Sequence, residues 1–140
     1  MKINPLTYAE LSRPMYVLEE ARLRANLNLI AHVAKEADVE IILAFKAYAL
    51  WRTFPIFREY IKATTASSLF EARLGFEEFG APTHTFSPGY TDYEIDDIAR
   101  CSSHLVFNSL TQHERFHVRA KIENEKLSFG LRVNPEYSEV

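Results

Sequence analysis

The 140-residue sequence contains one cysteine, Cys101, so no disulfide can close within the chain and a reducing compartment is compatible. As a small apolar core thiol it needs no further role. No apolar run approaches the roughly 18 to 20 residues that span a bilayer, and residues 1–11 lack the apolar stretch of a secretory signal. This points to a cytoplasmic protein with no membrane partner. A dominant charge is also missing: 16 Lys and Arg stand against 19 Asp and Glu, and the net charge of -3 is spread along the whole length. That leaves no basic stripe for a phosphate backbone, so nucleic acid is excluded as an expected partner. Only four glycines are present, all isolated, and none builds a glycine-rich phosphate cradle. The histidines of Q-H-E-R-F-H show no metal-ligand arrangement, and no metal is expected. What the sequence does have is 47% hydrophobic and 13% aromatic residues, ample for one packed domain.

The apolar residues are organised as a repeated unit: a short apolar run, a helix-start signal, then an amphipathic stretch. Residues 39–45 (VEIILAF) form a continuous apolar run of strand length, as a strand buried on both faces requires. Residues 50–61 then place Phe54, Phe57 and Ile61 on one helical face, with Pro55 tolerable only near the first turn. Residues 62–67 read as the second strand. Ser68 and Glu71 follow as a capping box opening a helix with Leu69, Ala72, Phe76 and Phe79, which Gly80 is placed to end. Residues 83–87 are the third strand, and Thr91 with Glu94 is a second capping box before Ile95, Ile98 and Ala99. Residues 104–108 are the fourth strand, after which Ser109 and Gln112 cap a helix bearing Leu110, His113, Phe116 and Ala120. Residues 127–133 supply the fifth strand. Ahead of the series, residues 19–37 are a strong amphipathic helix with Leu23, Leu27, Ile30 and Ala34 in register, and residues 15–18 could be extended.

Strands alternating with helices every 20 to 25 residues or so predict a parallel sheet, either doubly wound or an eight-stranded barrel. Periodicity alone does not choose. In a barrel the fifth strand would lack its covering crossover and about three strands would be absent. Unpaired buried backbone groups cost roughly 1 to 3 kcal/mol each, so two open edges would cost on the order of 10 kcal/mol. That rivals the whole stability of a domain, about 5 to 15 kcal/mol, so the chain is not expected to be a self-sufficient monomer. A complementary chain, an oligomer covering the edges, or a truncated gene product is the expectation.

Lys46 stands directly after the apolar strand. A lysine at the carboxyl end of a barrel strand lies at the mouth where active sites are built, and partial desolvation there favours the neutral amine that attacks a carbonyl. A solvated lysine at a strand end is the ordinary alternative. Around it, A-F-K-A-Y-A-L-W, then T-T-A-S-S-L-F-E-A-R-L-G-F-E-E-F-G, T-H-T-F-S-P-G-Y and H-L-V-F-N-S, the sequence resembles the carboxynorspermidine (carboxyspermidine) decarboxylases. These are fold-type III enzymes dependent on pyridoxal 5'-phosphate (PLP), related to ornithine and diaminopimelate decarboxylases and alanine racemase. The resemblance runs from about Pro14 to the end of the sequence.

The resemblance implies a parallel (β/α) barrel of TIM type followed by a β-domain, in a homodimer with active sites at the subunit interface. This chain would be an incomplete front part with about five of eight strands. Residues 1–14 would be an extension associated with the β-domain, and residues 15–140 the barrel portion. Lys46 matches the Schiff-base lysine. Ser68 and Glu71 match the S-x-x-E after the second barrel strand, and Arg132 in L-R-V matches an arginine near the cofactor ring. Two positions depart from relatives: Thr65 stands where ornithine-type enzymes carry Asp, and Asn108 where many carry Asp.

Each residue also has an ordinary reading. Ser68 and Glu71 already serve as a cap worth about 1 kcal/mol. Arg132 could merely pair with Glu136. Tyr48, Trp51 and Phe54 could line the mouth or pack a helix on the barrel, while His84 and His104 sit at strand starts, the wrong end for chemistry. The ring-stacking histidine, the acidic partner of the pyridine nitrogen, the phosphate loop and the cross-dimer cysteine of relatives are not found among these residues. The chain by itself is therefore expected to be inactive, as part of an enzyme that decarboxylates carboxynorspermidine or carboxyspermidine to norspermidine or spermidine. A noncatalytic PLP-binding or regulatory barrel, and a pseudo-enzyme fragment acting as an assembly partner, are the other readings.

Overall fold

The computed structural model describes residues 14 and 16–137; the boundary expected near residue 14 and the extension before it lie outside the described residues. The chain runs α1 (Glu20–Glu36), β1 (Leu43–Ala44), α2 (Phe54–Phe57), β2 (Thr64–Ala66), α3 (Leu69–Arg73), β3 (Thr83–Phe86), α4 (Ile95–Cys101), β4 (Ser102–Phe107), α5 (Leu110–Glu123), β5 (Ser128–Leu131). All four strand pairings are parallel, in the order β1-β2-β3-β4-β5. A doubly wound sheet would reverse its order at a switch point. With right-handed crossovers throughout, a strictly sequential order puts every helix on the same side. The five strands are therefore one wall of a TIM-type (β/α) barrel, and the choice left open by periodicity is made.

Two larger apolar clusters and a small third one, Ala66 with Ala72 and Cys101, glue the helices to that wall. Phe45, Leu43, Phe54, Phe57, Ile61, Phe79 and Leu27 form one. Leu105 and Phe107 of β4 pack with Ile95, Ile98, Phe116 and Leu127 in the other. On β3 and β4 the helix-facing hydroxyls are satisfied internally. Thr83 Oγ1, Thr85 Oγ1 and Ser102 Oγ form a chain with 2.7 Å spacings that ends with Ser102 donating to the Ile98 carbonyl. Gly75 sits where a Cβ would overlap Thr83 Cγ2 and lie 3.0 Å from Phe45 Cε2, so its missing side chain lets α3's continuation press on β1 and β3.

Several boundaries differ from the sequence expectation. The apolar run 39–45 contributes only Leu43–Ala44 to the ladder, flanked by single bonds from Leu43 N–H to Ala63 O and Phe45 N–H to Thr65 O, because β1 pairs on one side only. Helix 50–61 is broken into a 3-10 turn, Trp51–Thr53, and the one-turn α2, where Pro55 cannot donate to a longer ladder. After α3 the chain widens into a π-helical segment, Leu74–Phe79, and Gly80 ends it at φ 76°, with Ala81 N–H bonded back to Gly75 O. β4 begins two residues early, since α4 runs into it without a loop.

Candidate functional site

In a parallel sheet the residues that follow each strand share one rim. Lys46 follows β1, Ser67 and Ser68 follow β2, Ser87 follows β3, Asn108 follows β4 and Arg132 follows β5. The face turned away from the helices carries Ala44, Thr65, His84 and His104 in one paired row, and Phe86, Val106 and Gly130 in the row nearer the rim.

Lys46 is exposed, two residues beyond Ala44, and its side chain forms no hydrogen bond or ion pair among the described residues. Arg132 continues the ladder, its N–H donating to Phe107 O at 2.9 Å, and its guanidinium lies over the Phe86 ring at 5.3 Å. It does not pair with Glu136. Lys46 and Arg132 share the rim but stand on the two outer strands, four spacings of about 4.8 Å apart along the sheet.

Ser68 caps α3, accepting the Glu71 N–H at 3.3 Å, while the Glu71 carboxylate accepts the Ser67 N–H at 2.6 Å. This is a capping box displaced by one residue on its carboxylate side. Ser109 repeats it after β4: its hydroxyl accepts the Gln112 N–H, and Gln112 Oε1 accepts the Asn108 N–H. Thr91 does not. Its hydroxyl bonds the Glu94 carboxylate at 2.8 Å, Glu94 itself flanks α4, and no side chain caps that helix. Tyr90 pins the third rim loop instead, donating to Val106 O at 2.8 Å and accepting the Ser87 N–H; burial pushes its phenol up to about 12.

Of the aromatics considered for the mouth, Phe54 is core, packed on Phe45 and Phe79. Tyr48 is half-buried on Phe57, its hydroxyl paired with Thr53 Oγ1, and Trp51 is exposed under Arg52. His84 lies near the start of β3 as expected, whereas His104 is the third residue of β4. A bulge at Ser103 brings their rings to 4.0 Å on the face away from the helices. Burial first, and the neighbouring His104 second, hold His84 below its ordinary value. On α5, His113 and His117 stack at 4.5 Å, and no group of three or more potential metal ligands occurs among the described residues. Sequence reasoning missed Phe86 as the partner of Arg132, since the pairing depends on the register of three strands.

No family model matches the chain. Among curated proteins it is similar to the carboxyaminopropylagmatine decarboxylase of Synechocystis sp., 41% identical over 94% of this chain and 34% of that one. It is also similar to the carboxynorspermidine/carboxyspermidine decarboxylases of Herminiimonas arsenicoxydans, at 35% over 91% and 34%, and Campylobacter jejuni, at 39% over 94% and 33%. The crystal structure of carboxynorspermidine decarboxylase complexed with norspermidine, from Campylobacter jejuni, superposes with a TM-score of 0.83 at 39% identity, covering 91% of this chain and 34% of that one. The chain thus spans about a third of the length of the relatives it matches. In sequence and in fold alike, the chain is similar to about a third of these decarboxylases.

Proposed function

We propose that this chain supplies the amine-bearing wall of a cytoplasmic, PLP-dependent decarboxylase acting on a carboxylated polyamine of the carboxynorspermidine and carboxyspermidine class. The reading rests above all on Lys46, an exposed amine at the carboxyl end of the first strand of a parallel sheet, in a chain with decarboxylases as relatives. The donor set fits PLP: a primary amine to condense with its aldehyde, and the Arg132 cation at the same rim for an anionic substituent. Ser68 accepts one N–H as a cap and keeps its own O–H to donate to the cofactor. When bound, PLP supplies the electron sink for the pair released as carbon dioxide leaves.

In this reading Lys46 would hold the cofactor through its amine until the substrate's amine displaces it, and Arg132 would orient an anionic group. The site is completed by a second copy of the chain or by strands beyond β5. The relatives' names share a carboxylated amine and differ in the polyamine that bears it. Borohydride reduction of the complete enzyme with PLP should label Lys46 in peptide mapping, and Lys46→Ala should abolish carbon dioxide release from carboxynorspermidine. A label on another lysine, or full activity in the variant, would refute the assignment. A labelled Lys46 with no carbon dioxide release from any carboxylated polyamine would instead favour a noncatalytic PLP-binding barrel.

A further inference from the structure

Arg132 is held in an unusual way for a residue at a polar rim. β5 and β3 are two strand spacings apart, about 9.6 Å. To place its guanidinium 5.3 Å from the Phe86 ring, Arg132 must therefore lie across β4. Gly130, two residues earlier on the same face, raises no side chain beside the arginine stem; a Cβ there would stand 3.1 Å from Val106 Cγ2. The neighbouring positions of this face, Thr65, His84 and Val106, carry no carboxylate, and Arg132 forms no ion pair among the described residues. A carboxylate partner would fix the guanidinium but neutralise it and occupy its N–H donors. An aromatic face attracts the cation while leaving the charge intact and the in-plane donors free for a two-oxygen acceptor.

We infer that Phe86 is a positioning residue that holds Arg132 across β4 as a preoriented receptor for an anionic group, either a cofactor oxygen or the substrate carboxylate. The inference deepens the PLP reading and rests on it for the identity of the anion. A cation–π contact of this kind corresponds to about a two- to fivefold effect on binding. In the complete enzyme, Phe86→Leu should therefore weaken PLP binding by that factor if the anion belongs to the cofactor, or raise KM for carboxynorspermidine at saturating PLP if it belongs to the substrate. Phe86→Tyr should restore either, and in an Arg132→Met background Phe86→Leu should add nothing. NMR of the Arg132 Nε–H group provides a readout independent of cofactor: its proton should be shifted upfield by the ring in the parent and in Phe86→Tyr, and return to the ordinary position in Phe86→Leu. An unshifted resonance in the parent, equal behaviour of the Leu and Tyr variants, or an undiminished Phe86→Leu effect without Arg132 overturns the inference. Should Phe86→Leu not fold, the parent and Phe86→Tyr resonances decide it. Absence of any PLP binding in the parent would refute the cofactor reading, with the resonance still deciding the Phe86 contact.

Discussion

At the scale of single residues, two groups are out of balance with their surroundings. Thr64 Oγ1 is fully buried and has no hydrogen-bond partner among the described residues, whereas the hydroxyls of Thr83 and Thr85 on the next strand are bonded. Thr64→Val keeps the shape and removes the orphan, so it should stabilise the fold by about 1 kcal/mol in urea denaturation. His84 is the second. Its folded pKa lies below its ordinary 6.5, so the unfolded state binds more protons as the pH falls through that value. The contribution is fully present above about 6.5 and is lost below it. Lowering the pH from about 7.5 to 5.5 should reduce the urea midpoint, opposed weakly by Glu40, and His84→Gln should flatten the dependence. The place of Lys46 just past a strand was legible because it depends only on the apolar run before it. The His84–His104 pair was not, because a bulge at Ser103 sets their alignment.

At the scale of elements, local chemistry carries the helix starts. Ser68 and Ser109 each accept the N–H three residues on, and each neighbouring backbone N–H meets the Glu71 or Gln112 side chain. Ser68→Ala and Ser109→Ala should each cost about 1 kcal/mol of stability, measured by thermal unfolding. These caps and the Gly80 terminus could be read directly, because the groups involved are within six residues of one another. Thr91 and Glu94 show the limit: the same S/T-x-x-E spacing is present, but α4 starts later, after a turn anchored by Tyr90, and the carboxylate bonds the threonine hydroxyl. Strand lengths were similarly overestimated for β1, since apolarity marks burial while ladder hydrogen bonds require a neighbour.

At the scale of the molecule, β1 and β5 each pair on one side, and β2, β3 and β4 on both. In the 140-residue chain alone, amide exchange should therefore be fast at Ala44, whose N–H lies off the β2 pairing, and slow at Thr85 and Leu105. Protection of β1 on adding a second chain or a longer product, followed by mass spectrometry, would identify what closes the barrel. The sequence by itself determined the alternation of strands and helices, the caps and the place of Lys46 at a strand end, because each follows from periodicity or from bonds between near neighbours. Only the tertiary structure decided the sequential strand order, the face on which His84 and His104 meet, and the reach of Arg132 to Phe86, because these depend on register between strands that lie some twenty to fifty residues apart in the chain.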